Sequence, residues 1–269
     1  MRTLWSSSLL LLLLAGCAFG PGDPFAVLSP EVDARWTVPD ERVRPDGFAL
    51  LASNYEVRLT RAELTVERAA LRSLSAGGGA SSGGSFDPAN PPAGYSLCHG
   101  GHCHRDDGAL VPYAEVEAAM SGGGGSATYV EVVGLPVQRD VDLLSGLTLS
   151  PSCEPSCDLN AVRLNDAQMS LSQLRFEGVV RDTLQPSRLA GEVAFAVDLE
   201  AAAVRAALDV PADREHPPGV ALRLNLHPGP RMFDAVDWVA DPSLADEQTR
   251  LRIEERLSDA LEIEVTRKE

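Results

Sequence analysis

The chain has 269 residues, 44 % of them hydrophobic, and a formal net charge of −16 at pH 7. That length suffices for one large all-β domain or two small domains with a substantial core. The acidic balance argues against nucleic acid or an anionic lipid surface as a partner, because phosphate recognition needs a basic stripe, and it is compatible with cations as ligands.

Arg2 gives the chain a positive start, Leu9 to Leu14 form an unbroken apolar run, and Leu14-Ala15-Gly16-Cys17 closes it. A membrane-spanning helix needs about 20 apolar residues, and this run stops far short. Over roughly its first 20 residues the chain resembles the signal segment and lipobox of bacterial lipoproteins. The resemblance implies cleavage before Cys17, a diacylglycerol on its sulfur and usually an acylated new amino terminus. Such a protein is anchored to a bilayer by its acyl chains and does not span it. By the same resemblance, Ala18 in place of an aspartate directs the protein to the outer membrane, with its body in the periplasm or facing outward. The alternative is an ordinary secretory signal ending near Gly20, with Cys17 lost in the cleaved piece. The chain then divides into a signal peptide (1–16), a lipid anchor and tether (17–30) and a β-rich body (31–269). Residues 18–30 hold three prolines and two glycines, a tether-like composition.

The body reads as mainly β. In "YEVRLTRAELTVERAAL" apolar positions alternate at Tyr55, Val57 and Leu59, then Leu64 and Val66, the period of a half-buried strand. "TYVEVVGLPV", "DVDLLSGLTL", "AVRLNDAQMSLSQLRFEGVVRDT", "LAGEVAFAVDL" and "GVALRLNL" continue the pattern, separated by short turn signals. This predicts an antiparallel β-sandwich-like domain with a Cys/His-rich loop insertion and one C-terminal helix. The insertion (75–126) is flanked by "SAGGGASSGGS" and "SGGGGS", glycine runs that read as mobile linkers. "EVEAAM" within it reads as a short helix or a turn. Alanine content favours helix over strand for "AAAVRAALDV", from residue 201. Near the end, Leu244, Leu251, Ile253, Leu257 and Leu261 recur at roughly helical spacing, with Asp241 as cap and Pro242 in the first turn. "LEIEVTR" then alternates as a closing strand.

The insertion carries "SLCHGGHCHRDDG", residues 96–108, with three of the chain's five histidines and two of its five cysteines. One reading is a transition-metal site made of His99, His102 and His104, joined by Cys98 and Cys103 if these are reduced. Imidazole suits copper and zinc, and thiolate suits copper(I) and zinc. Asp106 and Asp107 stand close enough in sequence to orient the imidazoles or to bind directly, and His227 or His216 is a possible distant ligand. A second reading is c-type haem, since Cys98-x4-Cys103-His104 resembles a longer-spaced form of the haem attachment motif, with Met232 or His227 as distal ligand. In the third, Cys98 and Cys103 close a structural loop and the histidines face solvent.

With Cys17 set aside, Cys98, Cys103, Cys153 and Cys157 allow three disulfide pairings, and two local loops, 98–103 and 153–157, are the simplest. "LHPGPRMFDAVDW" from Leu226 reads as a proline-bent crossover with Phe233 and Trp238 plugging the core edge, ahead of a ligand site at His227. The sequence contains no glycine-rich phosphate loop and no Gly-x-Ser-x-Gly elbow, and no carboxylate pair stands out, so nothing supports a catalytic assignment. The expected functions are metal binding by an anchored, non-catalytic envelope lipoprotein, haem-based electron transfer, or a structural or adhesion module for an envelope protein partner.

Overall fold

The computed structural model describes residues 23–75, 86–89, 91–92, 95–99, 101–105, 110–120 and 128–268. Residues 1–22 with Cys17, the two glycine runs, Asp106 and Asp107 lie outside the described residues.

Two five-stranded sheets enclose one core. In the first, strand β1 (Ala26–Ala34) is central. It is flanked by β12 (Gly219–Leu226) on one side and by β8 (Leu147–Leu149) and β9 (Asp158–Leu159) on the other, and β13 (Leu261–Lys268) extends the sheet beyond β12. The second sheet runs from β11 (Val193–Ala212) through β10 (Val162–Asp182) to β3 (Tyr55–Ser75), whose far side carries both β2 (Ala49–Leu50) and β7 (Thr128–Asp142). Period-two patterning makes the core: Ala26, Leu28 and Val32 of the first sheet face Val57, Leu64, Phe176 and Val197 of the second in one buried cluster.

The pairing is antiparallel except between β1 and β12, which run parallel with Leu28 opposite Val220 and Val32 opposite Leu224. These two strands lie far apart in the chain, so no tight turn forces them to run in opposite directions. β1 also begins inside the stretch that composition assigned to the tether. Residues 26–30 already alternate between core and solvent, and the glycines and two of the prolines of that stretch precede them. The long strands bend through irregularities in the ladder. Gln138 and Gln173 take positive φ values of 50° and 51°, and the β10–β3 register shifts between Ser172 and Arg175.

Residues 201–210 are strand, not helix. They pair with β10 through Ala202–Leu171, Val204–Met169 and Ala207–Asp166, and this ladder outweighs the helix preference of alanine. Helix α1 (Tyr113–Met120) contains the short helical stretch foreseen in the insertion. The C-terminal helix α2 (Glu247–Leu257) starts later than expected, because Asp246, not Asp241, is its cap and accepts from the Thr249 amide. Asp241 instead accepts from the amides of Ala245 and Asp246, closing the turn before the helix, where Leu244 sits at φ 58°. The buried stripe of α2 is Thr249, Ile253 and Leu257, four residues apart, while Leu251 faces solvent.

The segment after β12 is the proline-bent crossover expected. A 3-10 turn at Pro230–Phe233 buries Met232 and Phe233. Phe233 and Trp238 stack about Phe195, with centroid distances of 5.5 and 5.1 Å, and Trp36 closes the group 6.3 Å from Phe233. A Cβ at Gly229 would run into the Thr37 carbonyl oxygen, so only glycine lets this crossover lie against β1's continuation. Replacing the true cap of α2, Asp246→Ala, should lower stability by about 1 kcal/mol, read as a shift in the urea midpoint. An unshifted midpoint in Asp246→Ala would show that this side chain does not cap the helix.

Candidate metal centre

The insertion folds into a small satellite. Strands β4 (Tyr95–His99), β5 (His102–Arg105) and β6 (Leu110–Pro112) form a third sheet in that order, followed directly by α1. It leaves the body between β3 and β7, whose final rung pairs Ser75 with Thr128. A two-residue connection joins β4 to β5, and Gly101 occupies it at φ 91°, a conformation that tight hairpin turns need and glycine takes without strain.

Register then decides which side chains share a face. Cys98 lies opposite Cys103, His99 opposite His102, and Leu97 opposite His104. On β6, Val111 faces Cys103, Leu110 faces His104 and Pro112 faces His102. Opposed residues share a face and chain neighbours do not, so the histidines lie together on one side and both cysteines on the other.

The cysteine side is the interior of the satellite. Cys98 and Cys103 are joined in a disulfide. Cys103, Val111 and Val116 of α1 are buried there, with Phe86, Tyr95 and Tyr113 packed around them. The histidine side faces outward. His99 is exposed, His102 and His104 are half-buried, and Leu97 and Leu110 flank His104 with more than half of their surface open.

The three imidazoles converge. One nitrogen from each lies within 4.8 Å of the others, and the Nε2 atoms of His99 and His104 are 3.1 Å apart. Two imidazole nitrogens on one tetrahedral zinc, at its usual bond length, stand about 3.3 Å apart. The His99–His104 pair is therefore near a chelating separation. The widest spacing exceeds that value by at most about 1.5 Å, a gap within the reach of side-chain rotation on an outward face. Among the described residues this is the one group of three or more histidine, cysteine or acidic side chains with convergent donor atoms.

Several sequence expectations need correction. Cys98 and Cys103 are not metal ligands: their sulfurs are bonded to each other and point away from the imidazoles. The same bond removes the two thiols that covalent haem attachment requires, and His104 projects from the opposite face, so the haem arrangement is not formed. Met232 is buried in the core beneath the aromatic group and is no distal ligand. Cys153 and Cys157 form the second local disulfide, the simplest of the three pairings.

His227 belongs to a different place. It stands at the end of β12, with Nε2 3.0 Å from Asp33 Oδ2 on β1, and it is not part of the histidine group. His216 is held by Asp213 at 2.7 Å. Sequence reasoning missed the Asp33–His227 pair, for which a separation of 194 positions leaves no local signal. Asp33 is 6 % exposed and also accepts from Arg35 and from Thr148 Oγ1 at 2.8 Å. His227 lines a cleft of about 400 Å³ together with Thr37, Arg231, Arg256, Asp259 and Glu262. Burial alone would raise the Asp33 pKa, but hydrogen bonds from Arg35, Thr148 and His227 outweigh it and hold the group at about 2.

The chain matches no known family model, no curated protein and no solved structure.

Folding depresses the Asp33 pKa, so the native state favours its charged form. That contribution should be full above the ordinary value of 3.8 and disappear as the pH falls to about 2. Urea melts of the wild type and Asp33→Asn should therefore differ most near neutrality and converge across this window. A difference independent of pH would show that the carboxylate's charge is not what matters.

Proposed function

We propose that the outer face of the satellite binds a divalent transition metal, zinc or copper, through His99, His102 and His104, and that the protein stores, delivers or senses the ion without catalysis. The observation that carries this reading is the convergence of three imidazoles from two strands within 4.8 Å on one outward face. Imidazole is the common donor for both ions. Three protein donors leave a coordination position for water or an incoming ligand, as in open zinc sites. Asp106 and Asp107 are candidates for orienting or completing the set.

The place of action in this proposal is the cell envelope. The lipobox-like Leu14-Ala15-Gly16-Cys17 supports an acyl anchor at Cys17, and two local disulfides accord with an oxidising compartment. The partners are then the membrane, reached through lipid, and the metal ion. Among the described residues no helix is long and apolar enough to cross a membrane.

A second reading, a docking face for another envelope protein, draws on Leu97 and Leu110, which lie exposed beside His104. Calorimetric titration of the purified chain, disulfides intact, with zinc and copper(II) separates the two. The metal reading expects binding tighter than micromolar that is lost in His99→Ala/His102→Ala/His104→Ala. Weak binding, or binding indifferent to the triple substitution, overturns it.

A further inference from the structure

We infer that the Cys98–Cys103 disulfide is the positioning element of the histidine site, so that affinity for the metal depends on the oxidation state of a bond that never touches it. The inference rests on the metal-binding reading above. Its basis is where the crosslink sits. The rung Cys98–Cys103 lies between the rung His99–His102 and the rung Leu97–His104, at the centre of the triad. Each histidine is the chain neighbour of a bonded cysteine: His99 follows Cys98, and His102 and His104 bracket Cys103.

The surrounding structure offers little else to hold that register. Among the described residues β4 is an edge strand with a partner only in β5, and the paired strands of the satellite are five, four and three residues long. A sheet this small depends for its stability on the apolar face it buries. Among the described residues the satellite's buried cluster is Cys103, Val111 and Val116, so the disulfide is itself part of the core. The glycine turn adds no side-chain packing. A one-residue slip of β4 against β5 would send His99 to the far face, away from His102 and His104. The bond forbids that slip while pointing its sulfurs inward, where they do not compete for the ion.

Reduction by a dithiol proceeds through two thiolate exchanges. The reductant's sulfurs close into their own disulfide, and Cys98 and Cys103 are released, each taking up a proton as a thiol. β4 then loses its tether, and His99 with it. Losing an element that orients metal ligands typically weakens affinity about 10- to 100-fold.

The test uses the full chain and the ions alone. Zinc and copper(II) affinities are measured for the oxidised protein, for Cys98→Ala/Cys103→Ala, and for Cys98→Val/Cys103→Val, whose β-branched side chains keep the inner face filled. Cys153→Ala/Cys157→Ala serves as control. Both variants at 98 and 103 should bind about 10- to 100-fold more weakly, and the control should bind as the wild type does. The electron paramagnetic resonance spectrum of bound copper(II) should lose nitrogen couplings in those variants, a change that a general loss of stability does not produce. In the wild type, dithiol treatment followed by removal of the reductant should weaken zinc binding, and reoxidation should restore it. If the oxidised wild type binds while the valine variant matches it in affinity and nitrogen couplings, the positioning role is overturned and the metal site stands. An oxidised wild type that binds neither ion overturns both.

Discussion

An extended chain sends successive side chains to opposite faces, and the architecture of this protein depends on that alternation wherever it is examined. In the body it sorts Ala26, Leu28 and Val32 into the core while Val27 and Ser29 remain outside. In the satellite the same rule separates two chemistries that are mixed in the sequence. Cysteine and histidine alternate through residues 102–104, and the strand parts them into a sulfur face under α1 and an imidazole face toward solvent. A loop of the same composition would impose no such division.

The first sheet has a polar counterpart to its apolar packing. The carboxylate of Asp33 gathers Arg35 from just past its own strand, Thr148 from β8 and His227 from just past β12. Three strands distant in sequence thus meet at one buried acceptor. Its charge is tolerated because each oxygen is engaged, whereas a buried carboxylate without donors would be strongly disfavoured. The neighbouring aromatic group of Trp36, Phe195, Phe233 and Trp238 closes the same end of the core without polar help.

What the sequence made legible was what local periodicity encodes. Strands such as β3 and β12 were visible in their alternation, and the closing strand β13 and the crossover at Pro230 likewise. The local disulfides are the simplest of the three pairings that the spacing leaves open. Long-range pairing was not readable: nothing near residue 201 announces that its alanines lie against Leu171 and Met169, and nothing near Asp33 announces His227. The start of α2 was misplaced because Asp241 and Asp246 are both competent caps by composition, and only the backbone turn at Leu244 distinguishes them. At the candidate site the residue types pointed to the imidazoles, but their common face depended on a register that is set by pairing across a turn.

The rung between Ser75 and Thr128 gives the satellite an entry and an exit side by side on adjacent strands. Geometrically it is an elaborated hairpin connection, and β3 and β7 would remain neighbours with any shorter turn in its place. Its history need not follow that of the scaffold. Such an outcrop can lengthen, shorten or change its side chains without altering the pairing of β3 with β7.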